Sequence, residues 1–305
     1  MAKRIPGKEE FHETIRYFKK QLEVTGVTVK LGKRAEAGEL MGFDAVVVAT
    51  GVAPRKLTIP GNDDPKVVSY IDVLRHRAPV GRRVAIIGAG GIGFDIAEFV
   101  TSPHPPTDKA PGATPTPGIS SLDPVAFAAE WGIDMRNERR GGVEGVKPVL
   151  TGLGPDRDAV YLLQRKTSKH GDGLGKTTGW IRRTTLITRK VTMIGGVSYN
   201  KVDKDGLHIT VGGKPQVLAV DTVVVCAGQE PYKPLAAEIA AEAAKAGAKG
   251  PVVHVVGGAH VASELDAKRA IDQSTRLAVV IETATGPVHY EPPAPGGKGK
   301  PNKDK

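Results

Sequence analysis

The sequence predicts an α/β fold in which one α/β domain is inserted within another. Three stretches carry that prediction. RVAIIGAGGIG, Arg83–Gly93, is an apolar strand that breaks into glycines and is followed by an apolar helix, FDIAEFV. VVVATGVAPR (Val46–Arg55) and VVVCAGQEP (Val223–Pro231) are two similar β-branched strands with glycine-containing ends, and they bracket that unit. Near-continuous apolar strands of this kind belong to parallel sheets covered on both faces.

Taken in order, the chain first shows Phe11, Ile15, Phe18 and Leu22 at steps of four, three and four. That spacing predicts an amphipathic helix over Glu9–Val24, with Glu9 and Glu10 at its positive end. Gly26 stops it, and VTVKL (Val27–Leu31) reads as a short strand. FDAVVVATG (Phe43–Gly51) reads as a strand buried on both faces. Beyond the Arg83–Gly93 strand, residues 102–157 are crowded with proline, glycine and polar side chains, which predicts an inserted surface excursion with one short helix near Pro124–Trp131. AVYLLQRK (Ala159–Lys166) is the next strand and Trp180–Arg189 the next helix, with VTMIGG after it. VSYNKV, LHITV and PQVLAV, separated by Asp205-Gly206 and Gly212-Gly213, predict a three-stranded meander. GPVVHVVGG (Gly250–Gly258) is a last strand and Glu264–Glu282 a long last helix. The expected domains are therefore 1–79 with 232–284 for the outer domain and 80–231 for the inserted one. A disordered basic tail, 285–305, follows.

Composition narrows the function. The 305 residues are 40% hydrophobic and 25% charged, ordinary for a globular protein. The net charge of +10 comes partly from the tail lysines, and with aromatics at 5% no basic stripe interleaved with rings exists. A nucleic-acid partner is not expected; cations that receive an anionic nucleotide are. The single cysteine, Cys226, excludes an intrachain disulfide or a Cys-x-x-Cys site and reads as a small buried strand residue. The N-terminal MAKRIPGKEE is not a secretory leader, and no apolar run approaches the roughly 20 residues of a membrane helix. The expectation is a cytoplasmic protein without a membrane partner.

Gly88-Ala89-Gly90-Gly91-Ile92-Gly93 is a complete G-x-G-x-x-G set between a strand and a helix, the context in which the pattern binds a dinucleotide. Gly88 makes the turn, Gly90 lets backbone approach a pyrophosphate, and Gly93 permits close helix–strand packing. The next strand of such a unit ends in a carboxylate when the ribose of NAD is held. Here YLLQRK ends in Gln164-Arg165-Lys166, two cations suited to a 2′-phosphate, so NADP is the expected dinucleotide. GDGLGKTTGW (Gly171–Trp180) resembles a Walker loop, but the first position of that motif falls on His170. It reads instead as a glycine-rich loop entering the next helix near the adenosine end, with Lys176 a candidate for the phosphates or for a turn cap. Thr50-Gly51 and Ala227-Gly228, at the two similar strand ends, are places where the chain passes near a nucleotide.

IPGKEEF, YIDVLR, APVGRRVAIIGAGGIGFDIAEF, EWGID, LLQRK, GLGKTTGWIRRTTL, GVSYNKVDKDGLHI, VVVCAGQEP and ELDAKRAI together resemble the C-terminal half of bacterial NADPH-dependent 2,4-dienoyl-CoA reductases, from about Ala2 to Ile281. The resemblance implies a flavoprotein fold with two dinucleotide-binding domains. It implies hydride transfer from NADPH to FAD, with electrons passed singly through a 4Fe–4S cluster to FMN in an N-terminal barrel that reduces the dienoyl-CoA during β-oxidation of unsaturated fatty acids. Carried over, Gly88, Gly90, Gly93, Arg165 and Lys166 belong to the NADPH site, while Thr50, Gly51, Gly257 and Gly258 belong to the FAD side. The barrel, its cluster cysteines and the first FAD glycine loop are not in these 305 residues, so the partner implied is a barrel-bearing half or a separate chain. The family's Gly-Gly-x-Asp is GGAH here; His260 removes a carboxylate acceptor for the flavin chain. Both departures predict weakened FAD binding. No catalytic acid or base and no metal ligands are expected of this chain. A flavin-free NADP-binding module and a stand-alone NADPH–flavin reductase with another acceptor are the alternatives.

Overall fold

The computed structural model describes residues 1–102, 123–149, 152–154, 156–247, 249–262 and 267–287. In chain order the elements begin with α1 (Phe11–Val24), α2 (Ala37–Leu40), β1 (Ala45–Val48), β2 (Val52–Pro54), β3 (Val67–Ser69) and α3 (Tyr70–Leu74). They continue with β4 (Arg83–Ile87), α4 (Gly91–Thr101), α5 (Pro124–Trp131), β5 (Ala159–Leu163), α6 (Gly179–Thr188) and β6 (Thr192–Ile194). The rest are β7 (Val197–Asp203), β8 (Gly206–Val211), β9 (Lys214–Leu218), β10 (Thr222–Val225), β11 (Gln229–Pro231), α7 (Pro234–Ala246), β12 (Val252–Val255) and α8 (Ala267–Val280).

Two compact units form: Met1–Val29 with Lys56–Gly228, and Lys30–Arg55 with Gln229 onward. The first is built on a five-stranded parallel sheet in the order β3-β10-β4-β5-β6. Strand β4 shows why its apolar run is unbroken. Val84 and Ile86 join Phe94, Ile96, Leu162 and Leu186 on one face, while Ala85 and Ile87 join Leu163, Leu207, Ile209 and Val223 on the other. Helices α3, α4 and α6 supply the first layer and the antiparallel meander β7-β8-β9 the second. Side chains two residues apart along a strand share a face, so a strand between two apolar layers must be apolar throughout.

The expected boundary at residue 80 is corrected. Strand β3 hydrogen-bonds along β10, and Ile5, fully buried, packs in the same core as Tyr70 and Val73. Residues 1–29 and 56–79 therefore go with the glycine-loop unit. Helix α1 forms as its periodicity predicts, but Phe11, Ile15, Phe18 and Leu22 stay exposed. The helix expected within the excursion is α5: Asp123 accepts from the backbone N–H groups of Val125 and Ala126, Pro124 opens the helix, and Gly132 closes it in the left-handed conformation. Residues 103–122, 150, 151 and 155 of the excursion, and the tail from 288, lie outside the described residues.

The second unit holds two short sheets, β1 beside β12 in parallel and β2 beside β11 antiparallel. Two strand expectations fail. VTVKL, whose first three residues belong to the first unit, forms no strand, and Leu31 is 89% exposed. FDAVVVATG is not buried on both faces: β1 is only Ala45–Val48, pairs among the described residues with β12 alone, and leaves Val47 44% exposed. A two-stranded sheet gives each strand an open edge, so the β-branched run is only half covered. Helix α7 stands where no element was expected. Among the described residues no helix is long and apolar enough to cross a membrane.

Candidate functional site

The glycine loop sits where β4 ends and α4 begins. Gly88 takes φ +107°, and its N–H donates to the Leu163 carbonyl at 2.9 Å. A Cβ at Gly88 would lie 3.0 Å from the Cys226 carbonyl carbon, and one at Gly93 would lie 1.7 Å from the Gly88 oxygen. These two glycines are demanded by the protein's own packing. Gly90, the N-cap of α4, and Gly91 differ: a Cβ on either meets no atom within 4 Å. Space is left on that side, and the unpaired N–H groups of the first turn of α4 can serve an anion there.

That space opens into a cavity of about 410 Å³ lined by Gly88, Ala89, Gly90 and Ala227 on the loop side. Gln164, Arg165, Lys166, Ser168 and Lys169 line it from the segment after β5. The segment is pinned in place. Gln164 donates from its side chain to the Lys166 and Ser168 carbonyls, the Gly196 N–H donates to the Lys166 carbonyl at 3.0 Å, and the Val197 N–H to the Gln164 carbonyl at 3.1 Å. Arg165, Lys166 and Lys169 remain exposed, three cations against one lining carboxylate, Asp172. Tyr199, from β7, contributes a buried hydroxyl with no hydrogen-bond partner among the described residues. Burial pushes that phenol well above its ordinary range. An orphaned polar atom beside an open glycine cradle fits a ligand rich in oxygen acceptors.

Of the residues expected at this site, Gly88, Ala89, Gly90, Arg165, Lys166 and Ala227 line one cavity. Ile92 packs against the core, and Gly228 takes φ +85° just beyond Ala227. Lys176 does not line the cavity; it sits exposed on a turn before α6, because the loop from Gly171 folds back with Gly171 against Phe94 and Leu174. Ser168, Lys169, Asp172 and Tyr199 were missed. Lys169 was within reach as a third cation in QRKTSK, whereas Tyr199 arrives through the meander's packing and leaves no local signal. Cys226 is buried, as expected, and burial pushes its thiol up. Asp203, Asp205 and His208 cluster at the β7–β8 hairpin, where Asp203 is already held by Lys201 at 2.7 Å and by His208 Nε2 at 2.8 Å.

In the second unit Thr50, Gly51, Gly257, Gly258 and His260 gather at the carboxyl ends of β1 and β12. The Thr50 hydroxyl donates to the Tyr232 carbonyl, and the Tyr232 N–H donates to the Gly51 carbonyl at 3.0 Å. A Cβ at Gly258 would lie 2.8 Å from Val52 and 3.3 Å from the Gly51 carbonyl carbon. Gln273, which sequence reasoning missed, ties the group together. It accepts from the Gly257 N–H at 2.8 Å, and its Nε2 lies 3.2 Å from His260 Nδ1.

Comparisons with known proteins agree with this picture. The family model described as pyridine nucleotide-disulphide oxidoreductase matches residues 7–253. The chain is 39% identical over 100 residues to a cinnamate reductase of Clostridium sporogenes, an alignment spanning 30% of this chain and 15% of that one. It is 21% identical over 235 residues to a metal reductase of Desulforamulus reducens, spanning 75% of this chain and 31% of the relative. Among solved structures it is similar to a 2-naphthoyl-CoA reductase, with TM-score 0.65 and 21% identity over 91% of this chain and 33% of that one. The chain thus spans about a third or less of the length of these relatives.

Proposed function

This chain belongs to the pyridine nucleotide-disulphide oxidoreductase family, and we propose that it is the NADPH-accepting, electron-input portion of a flavin-dependent reductase of the 2,4-dienoyl-CoA reductase type. The observation that carries the proposal is the single cavity joining the open Gly90 cradle to Arg165, Lys166 and Lys169. The N–H groups opening α4 bind the pyrophosphate, the three cations take the 2′-phosphate, and Tyr199 gives its unpaired hydroxyl to the nucleotide. FAD, when bound, supplies the acceptor for the nicotinamide hydride. Thr50, Gly51, Gly257, Gly258 and His260 are the residues of this chain that would face it. Hydride transfer requires alignment rather than a proton donor, and no general acid or base is assigned. Reduction of a dienoyl-CoA in fatty-acid oxidation is assigned to the whole enzyme, with FMN and the 4Fe–4S cluster on a barrel-bearing half.

The test is a visible spectrum of the purified chain before and after FAD addition, then during anaerobic NADPH addition. A bound flavin band that bleaches with NADPH, and far more slowly with NADH, is expected. Equal response to the two nucleotides would refute the NADPH assignment. A flavin-free NADP-binding module is the second reading; NADPH binding with no flavin uptake would establish it instead.

A further inference from the structure

A second cavity, of about 430 Å³, lies within the first unit and shares no lining residue with the nucleotide cavity. Helix α6 lines it with Ile181, Arg182 and Thr185, and Arg189 follows at the helix end. Helix α5 adds Phe127, Glu130 and Trp131, and α4 adds Glu98. Phe127 and Trp131, one turn apart, have ring centroids 6.1 Å apart at 37° and form an aromatic wall.

The polar groups of this cavity are unusually deep, with Glu98 7% and Arg189 5% exposed. The carboxylates are satisfied. Glu98 accepts from Arg182 Nε at 3.0 Å and Nη2 at 2.8 Å, Arg182 also reaches Asp95, and Glu130 accepts from Arg189 Nη2 at 3.3 Å. Lys8 completes the set by donating to both oxygens of Asp95 at 2.8 Å. Arg189 is not satisfied. Its Nη1 makes one 3.2 Å bond to the Glu98 carbonyl, and its buried Nε has no partner among the described residues. Burying a guanidinium with a donor unmet is costly, and the deficit specifies what would relieve it: an acceptor, not another donor.

We propose that this cavity is a second ligand site, taking a small carboxylic acid with an aromatic body: the carboxylate meets Arg189 and the ring lies against Phe127 and Trp131. The volume falls in the range in which proteins enclose small organic ligands, and the lining joins an aromatic wall and Ile181 to the charged groups Lys8, Glu98, Glu130, Arg182 and Arg189. An amine is disfavoured because each acidic group already has a cation. Because the two cavities have separate linings, the acid and NADPH bind together.

Calorimetric titration with 3-phenylpropionate, 3-phenylpropan-1-ol and 3-phenylpropylamine tests this on the whole chain. The acid is expected to bind saturably at one site, about tenfold or more tighter than the alcohol, as a charge-assisted bond is stronger than a neutral one. The amine should be weaker still, and saturating NADPH should not displace the acid. Arg189→Lys also disturbs Glu130, so Ile181→Trp, which fills the cavity from a position 37% exposed, carries the test. It should abolish acid binding while leaving NADPH affinity and melting temperature unchanged. No saturation at millimolar acid, equal binding of the alcohol or amine, displacement by NADPH, or undiminished binding to Ile181→Trp would each overturn the proposal.

Discussion

Alanine placed at two neighbouring glycines of the loop separates packing from ligand binding. At Gly93 the new Cβ would stand 1.7 Å from the Gly88 oxygen, against an ordinary carbon–oxygen contact of about 3.3 Å. Helix α4 would have to move by roughly 1.5 Å, and Gly88 cannot yield because its own N–H is tied to Leu163. Overpacking of this size costs at least about 3 kcal/mol. In a unit of this length each kcal/mol lowers Tm by about 2–4 °C, so Gly93→Ala is expected to melt roughly 6–12 °C lower. At Gly90 the backbone is extended (φ −84°, ψ −170°) and the methyl meets nothing within 4 Å. Gly90→Ala should therefore change stability by less than about 1 kcal/mol. The methyl does occupy the space a pyrophosphate needs, and loss of one charge-assisted contact of about 2–3 kcal/mol predicts NADPH binding roughly 30- to 150-fold weaker. Thermal melts and NADPH titrations of both variants decide the matter. Wild-type NADPH affinity in Gly90→Ala would refute the cradle, and wild-type melting in Gly93→Ala would refute the packing argument.

Charge reversal at both Arg165 and Lys166 removes two exposed contacts of up to about 1 kcal/mol each and adds comparable repulsion, which predicts NADPH affinity down roughly 30-fold or more. NADH affinity should change little, and a parallel loss in the two titrations would refute the 2′-phosphate assignment. Tyr199→Phe removes the orphaned hydroxyl, so the protein should melt at the same or a higher temperature while NADPH binds a few-fold more weakly. Asp72 closes a capping box at the start of α3, accepting from the Ser69 hydroxyl at 2.7 Å and the Ser69 N–H at 2.8 Å. The Ser69 hydrogen bonds hold its carboxyl below the usual range. Asp72→Ala should cost about 1 kcal/mol at neutral pH. A depressed acid stabilises the fold above the unfolded pKa of about 4 and loses that contribution as pH falls through the folded value. The gap between wild type and variant should close on acidification in pH-dependent melts, and a gap that persists would show that the carboxylate charge is not the cause.

Much of the first unit was legible because its signals are local and mutually consistent. Beta strands β4, β5 and β10 have apolar neighbours on both faces, so their sequences need no alternation and read as buried runs. Asp-Gly and Gly-Gly turns fixed the meander, since Gly206 at φ +131° and Gly212 at φ +56° occupy conformations glycine tolerates best. The second unit misled for the opposite reason. Val46, Val47 and Val48 have the composition of a buried strand, but composition does not count neighbours, and among the described residues β1 has one. Helix α7 went unread although Pro234 and the left-handed Gly247 mark its ends; its alanines carry too little apolar contrast for periodicity to show.

The candidate site divides along the same line. Gly88–Gly93 and Gln164–Lys166 lie on strand ends set side by side by the parallel register, Ile87 opposite Leu163, so a motif at one end implied the position of the other. Their separation by some seventy residues in the chain is irrelevant once that pairing is granted. Tyr199 enters from the opposite layer, through a meander whose residues pack against Leu163 and Ile87. Its hydroxyl is placed by those contacts and by no motif. The glycine roles, by contrast, followed from their places in the motif: Gly88 and Gly93 are fixed by neighbouring backbone, as a turn and a packing position require, while Gly90 faces open space. Gly91, at a position the motif leaves free, also faces open space. What selects a glycine for its fold and what selects it for its ligand leave the same letter in the chain; spacing within the motif separates the two, and the surroundings of the absent Cβ give the physical reason.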